Sequence, residues 1–205
     1  MYAIIAEDKS DVETLTALIR LIAGSQSIPI KGKGYSGCAE MLRKGARQIQ
    51  AFHDTGSCQR FVVCYDSDRV SPDDRHQELI KKVIAPSNVV APMCALIPIQ
   101  EIEAWILADV KAVTKIITGW VPDKNIENPE GIDDPKEYLE KMSRQNQRPR
   151  YSHAVHNAKI ARHLDVDLVR NKCPSFRPLY EMVNTGKGNV YVQLFWRYWV
   201  THWYH

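Results

Sequence analysis

Arg60-Phe-Val-Val-Cys-Tyr-Asp-Ser-Asp-Arg69 is the stretch that decides the fold class. Phe61 to Tyr65 is an unbroken apolar run, the pattern of a strand covered on both faces, as in a parallel sheet. Asp66 and Asp68 follow it at once, so the strand is predicted to end in two carboxylates. The same grammar opens the chain. Tyr2 to Ala6 is a short apolar run of strand formers, Glu7 ends it, and a helical pattern begins after Asp8 and Lys9. Ser10 reads as the N-cap of that helix, with Glu13 three positions on completing a capping box. Leu15, Leu18, Ile19 and Ile22 recur at helix spacing up to a stop at Gly24.

Between these two strands, Ser27 to Ile30 reads as a further short strand and Lys31-Gly-Lys-Gly-Tyr-Ser-Gly37 as a flexible loop. A helix is expected from about Ala39 to Phe52. Beyond Asp68, Ser71-Pro72-Asp73 starts a polar helix near 72–84, Val89 to Ile99 is apolar, and a helix from Glu101 carries Ile102, Trp105, Ile106 and Val110. Strands alternating with helices predict an α/β domain with a largely parallel sheet flanked by helices, over residues 1–120. Asn125 to Pro135 is rich in Pro, Asp, Asn and Gly and reads as a loop. Helices are then expected at about 135–145, 152–164 and 177–183, so 121–205 is a helical C-terminal extension packed on the first domain. It ends in a tail, Val190 to His205, that holds seven aromatics.

The composition excludes several classes. With 44% hydrophobic and 25% charged residues the chain is an ordinary globular one. No apolar run reaches the roughly 18–20 residues of a membrane span, and the N-terminus lacks the pattern of a signal peptide, so a cytoplasmic location is expected. Five scattered cysteines without a CxxC pair fit neither a disulfide framework nor a zinc site. The net charge of +3 hides an asymmetry: residues 1–140 hold 16 Lys and Arg against 21 Asp and Glu, and residues 141–205 hold 11 against 3. A basic end of this kind either holds a polyanion or balances its acidic neighbour.

Like charges at i and i+2 after a buried strand raise each other's pKa unless a cation sits between them. Mg²⁺ or Mn²⁺, hard ions that take oxygen ligands, resolve the conflict. In open parallel sheets sites form at the carboxyl ends of strands, so Glu7, Asp66 and Asp68 converge on one rim if their strands are neighbours. The alternative is that Asp66 and Asp68 only cap the next helix. Glu101 or Glu103, after the last strand, is the candidate for a further carboxylate serving a second metal ion, with Glu103 preferred; its alternative is an exposed charge on an amphipathic helix.

A strand ending in Glu, a helix, and a later strand ending in Asp-x-Asp resembles the TOPRIM domain of topoisomerases, primases and overcoming-lysogenization-defect-type nucleases. More closely, the chain resembles a small family of uncharacterised bacterial TOPRIM-like proteins often associated with defence loci, domain of unknown function family 4276. The segments that carry this are AEDKSDVETL (6–15), FVVCYDSDR (61–69), IQEIEAWILAD (99–109) and CPSFRPLYE (173–181). The resemblance departs at Asp8-Lys9, where that family commonly carries Gly. It implies Mg²⁺-dependent phosphoryl transfer on DNA or RNA, with Glu7 as general acid/base or metal-contacting carboxylate and Asp66 and Asp68 as metal ligands. It also implies an ATPase partner protein and leaves room for a homo-oligomer. A non-catalytic TOPRIM-shaped module of a defence complex is the competing reading; a phosphatase with an aspartyl nucleophile is disfavoured, because the first strand ends in Glu7.

For nucleic acid, Arg148, Arg150, Lys159, Arg162 and Arg177 are the candidate phosphate contacts, in a region almost free of acid. Lys31 and Lys33 join them if the KGKG loop approaches a phosphate; otherwise the loop is only flexible. His153, His156 and His163 at helical spacing read as a solvated face rather than a metal site. The aromatic tail either stacks bases or packs on this chain or a partner.

Overall fold

The computed structural model describes residues 1–120, 125–146 and 148–185. Its centre is a parallel sheet of β1 (Tyr2–Ala6), β2 (Ile30–Gly34), β3 (Arg60–Cys64) and β4 (Met93–Leu96) in the order β2-β1-β3-β4. This is the α/β architecture read from the apolar runs. Alternation along the strands divides the core. Ile4, Ala6, Val62, Cys64 and Leu96 face one layer, and Ala3, Ile5, Phe61 and Val63 face the other.

The second layer is α2 (Cys38–Asp54) with the π-helical turn Ile80–Ile84, which continues α3 (Pro72–Leu79). The helix expected near 72–84 therefore changes its hydrogen-bond pitch part-way. The first layer holds α1 (Lys9–Ile22), α4 (Glu103–Ala108), α5 (Val110–Thr114), α6 (Pro135–Met142), α7 (His153–Ala161), α8 (Val166–Lys172) and α9 (Arg177–Thr185). The helix expected from Glu101 begins at Glu103 and breaks at Asp109, and α8 was not anticipated. Residues after 125 do not form a separate core: Leu139, Tyr151, Ile160, Val169, Phe176, Leu179 and Met182 share one with Ile4, Val62 and Trp105. Among the described residues, no helix is long and apolar enough to cross a membrane.

Two local expectations are corrected. Asp8, not Ser10, caps α1: its carboxylate accepts from Asp11 N at 2.9 Å, and Asp11 Oδ2 accepts from Asp8 N at 3.3 Å. Ser10 lies within the first turn and donates to Asp8 Oδ1 at 2.8 Å, while Glu13 is exposed beside Lys9. The cap is extended, at φ −141° and ψ −179°, so the position requires no glycine.

The second correction concerns Lys31-Gly32-Lys33-Gly34, which is not a loop but most of β2, paired in register with Ala3 to Ala6. Its glycines serve close packing. A Cβ on Gly34 would lie 2.4 Å from the Asp8 carbonyl, and one on Gly32 would lie 2.2 Å from Val12 Cγ1. Lys31 donates to Ser57 Oγ at 2.8 Å and Lys33 lies over the Tyr35 ring at 5.4 Å, as expected of lysines on an edge strand.

Two of the segments that carry the resemblance, 99–109 and 173–181, meet in the core. Trp105 is fully buried, donates from Nε1 to Ser175 Oγ at 2.9 Å, and meets Phe176 edge-on with ring centroids 5.3 Å apart. Cys173 points its thiol at the Ala104 carbonyl at 3.8 Å. The five cysteines are free thiols, and all but Cys38 are buried. The aromatic tail at 190–205 lies outside the described residues.

Candidate metal centre at the carboxyl rim of the sheet

The strand order reverses between β1 and β3, since the chain adds β2 on one side of β1 and β3 on the other. A crevice opens at such a switch point, outside the carboxyl ends of the strands. Glu7 leaves β1 there and Asp66 leaves β3 there. They touch: Asp66 N donates to Glu7 Oε1 at 3.0 Å. The Glu7 carbonyl accepts from Tyr35 N at 3.2 Å and Gly37 N at 3.1 Å, so the chain leaving β2 fixes the backbone beneath this carboxylate.

Asp66 and Asp68 do not cap α3, whose N-cap is Ser71. Past β3 the chain continues alongside the exit of β4. Ser67 N donates to Pro98 O at 3.1 Å, Asp68 N to Gln100 O at 3.3 Å, and Gln100 N to Ser67 Oγ at 2.7 Å. Asp68, Arg69 and Gln100 all take left-handed backbone, at φ 47°, 64° and 63°. Non-glycine residues at positive φ are strained, and such strain gathers where a loop must present side chains in a set way.

Two more carboxylates join this rim. Asp11, one turn into α1, was missed as a site residue because an acid in a first helical turn is ordinary; the signal that marks it is its spacing from Asp8. Glu103 opens α4 and is 3% exposed. Asp109, by contrast, serves the fold, accepting from Asp165 N at 2.8 Å.

The electrostatics are those of acids crowded together away from water. Burial, helped by the charges of Asp68 and Asp8, pushes the Glu7 carboxyl up to about 7 against the hydrogen bond from Asp66 N and the pull of Arg75. Burial and then the charges of Asp8, Glu103 and Glu7 push Asp11 up to about 8. Asp66 is raised well above the usual range by burial and by Asp11, Glu103, Glu7 and Asp68. Burial also raises Asp68 and Glu103.

Two cations are set beside the acids. Arg75, on α3, donates to the Ser67 carbonyl at 3.3 Å, pairs with Glu78 at 3.2 Å and lies over the Tyr65 ring at 4.5 Å. Lys136, at the start of α6, holds Glu101 twice: its backbone N donates to Oε2 at 3.0 Å and its Nζ to Oε1 at 3.2 Å. Glu103 Oε1 accepts from Asn157 Nδ2 at 3.0 Å, and the other end of that amide accepts from the Tyr151 hydroxyl. Burial works against the Lys136 ammonium, but the Glu103 and Glu101 charges overcome it and its pKa is raised.

A set of hard carboxylate oxygens brought to one rim and destabilised by mutual repulsion fits a hard divalent cation such as Mg²⁺ or Mn²⁺. It is a convergence of acids rather than a closed cage. As the side chains stand, no three His, Cys, Asp or Glu among the described residues form a group able to hold a metal ion.

Arg150 donates to the Thr118 carbonyl and Arg177 to the Arg170 carbonyl, the latter at 3.2 Å, so both are engaged within the fold. Arg148, Lys159 and Arg162 are exposed. His156 bonds its own helix start at Ser152, at 3.0 Å from Nδ1 to the backbone N.

The family model described as Domain of unknown function (DUF4276) matches residues 6–184. The chain belongs to this family. The match runs from the end of β1 to the last turn of α9, so it takes in the whole acidic rim, α6 with Lys136 and α7 with Asn157. Neither a curated protein nor a solved structure matches the chain.

Proposed function

We propose that this member of the family is a TOPRIM-like, Mg²⁺- or Mn²⁺-dependent nuclease that hydrolyses phosphodiester bonds in DNA or RNA, in the setting of phage defence. The observation that carries the reading is the bond from Asp66 N to Glu7 Oε1 across the switch point of the sheet. It brings the glutamate of the first strand and the Asp-x-Asp of its neighbour together where α/β proteins place their chemistry.

Glu7, Asp66 and Asp68 would hold the ion, with Asp11 beside them. A bound divalent ion supplies charge neutralisation at a phosphate and a water of lowered pKa. The residues of the chain do the rest. Glu7, whose carboxyl burial pushes up to about 7 in the metal-free protein, would give up its proton on binding the ion. Arg75 tethers the loop that carries Asp66 and Asp68 through the Ser67 carbonyl. Glu103, the fourth expected catalytic carboxylate beside Glu7, Asp66 and Asp68, is held in place by Asn157. Exposed Arg148, Lys159 and Arg162 are available to phosphates of a longer substrate, a contact that gives affinity without sequence choice.

Mn²⁺ titration calorimetry on wild type and Asp66→Asn/Asp68→Asn, followed by a Mg²⁺-dependent cleavage screen on single- and double-stranded DNA and RNA, tests this. Binding and cleavage lost together in the double variant support the nuclease. The second reading, a non-catalytic module docked to an ATPase partner, is favoured by the lack of a ready metal-holding trio among the described residues. It gains if wild type binds no Mn²⁺ and still forms a stable partner complex.

A further inference from the structure

The rim carries more acid than one ion needs, and expectation assigned Glu101 or Glu103 to a second ion. The hydrogen bonds of those two residues point elsewhere. Both carboxylate oxygens of Glu101 are engaged by Lys136, one by the backbone N at 3.0 Å and one by Nζ at 3.2 Å. Glu103 is 3% exposed, and its Oε1 is engaged by Asn157 at 3.0 Å, with the amide locked from behind by Tyr151. An ion bound at Glu101 would have to displace the two Lys136 donors from its oxygens, leaving those donors without partners.

Lys136 is positioned by more than its own side chain. It is the second residue of α6, and Asp134 just before that helix pairs with Arg69 of the Asp-x-Asp loop at 2.6 Å. The start of α6 is thereby tied to the segment leaving β3 through Arg69 and to the segment leaving β4 through Glu101. The Lys136 side chain remains 36% exposed, and its ammonium has three donors, of which Glu101 takes one.

We propose, resting on the metal-dependent reading above, that Lys136 occupies the place of a second metal ion. The site then takes one divalent ion, on the Glu7, Asp11, Asp66 and Asp68 side, and Lys136 supplies the fixed positive charge on the Glu101 and Glu103 side. This is an economical arrangement for a phosphate substrate, since a lysine binds phosphate as a point charge and needs no second ion to be captured.

The test is the number of Mn²⁺ ions bound per chain, measured on the metal alone at pH 8 by calorimetry and by the loss of free Mn²⁺ signal in electron paramagnetic resonance. Wild type and Lys136→Arg are expected to bind one. Lys136→Met, which removes the charge and keeps the length, is expected to bind two, with the second lost again in Lys136→Met/Glu101→Gln. Lys136→Gln is read in the same way should the methionine variant not fold. Two ions on wild type, or one on each neutral variant, overturns the proposal while leaving the metal-dependent reading standing. No Mn²⁺ on wild type overturns that reading, and this proposal with it.

Discussion

The rim has two sides built from the same kind of residue and treated in opposite ways. On the β1 side Glu7, Asp8 and Asp11 stand within two turns of one chain, and the charges that act on Asp11 are those of other acids: Asp8, Glu103 and Glu7. On the β4 side Glu101 and Glu103 each have a donor, Lys136 for the first and Asn157 for the second. Burial is common to both sides, so it does not distinguish them. What differs is the kind of donor: backbone N–H groups serve Glu7, Asp8 and Asp11, whereas the ammonium of Lys136 is bonded to Glu101, and carboxylates not paired with a cation of the chain are the ones that select one from solution.

The largest effect that breaks or sharpens this contrast is on metal. Asp66→Asn/Asp68→Asn is expected to weaken Mn²⁺ binding by more than about 100-fold, more than loss of a supporting contact costs a metal site. Calorimetry checks it, and retained tight binding would place the ion elsewhere.

Next come two substitutions predicted to act on stability with opposite sign. Asn157→Leu leaves the buried Glu103 oxygen without its donor and should lower the unfolding free energy by about 1–3 kcal/mol. Asp11→Asn, in metal-free protein at pH 8, removes a charge that its neighbours repel and should raise it by about 1 kcal/mol. Denaturant midpoints at unchanged m report both, and the contrast fails if the two shifts share a sign.

A pH series follows. Glu7 holds its proton more tightly folded, at about 7, than at its ordinary 4.5, and Asp11 holds its own at about 8 rather than 3.8. Folding therefore takes up protons between each pair of values. Metal-free protein should lose stability as pH rises from about 4.5 through 7 and on to 8. The loss should be shallower in Glu7→Gln and Asp11→Asn, and Mg²⁺ should offset it most at pH 8, where the ion need not displace protons. Thermal midpoints at pH 5, 6.5 and 8, with and without Mg²⁺, measure this.

The smallest effect is the control. Lys9 and Glu13 form an exposed pair at 3.4 Å beside the acidic side of the rim, and Lys9→Ala should change stability by less than about 0.5 kcal/mol. A larger change would mean that Lys9 compensates the acids after all.

Much of this site is written locally. Glu7, Asp66 and Asp68 are legible because a buried strand announces itself by an apolar run and its end by the first charges after it. Trp105 is legible as core for the same reason of periodicity. Lys31 and Lys33 mislead, since a lysine-glycine alternation reads as a loop until it is known that Val12 and the Asp8 backbone approach too closely for any Cβ. The cap of α1 misleads in a smaller way, because Ser10 and Asp8 are both good caps and only the path of the chain out of β1 chooses between them.

The sequence by itself determined the α/β class, most of the elements and their order, the parallel sheet implied by that order, and three of the carboxylates, all of which depend on neighbours a few residues apart. Tertiary structure alone decided which strands lie side by side, and hence that Glu7 meets Asp66. It also decided that Asp11 turns toward them, that Lys136 reaches Glu101 across 35 positions, and that Asn157 reaches Glu103 across 54. Whether an acid is compensated depends on groups brought close by packing, and no local pattern records how far along the chain a partner will be found.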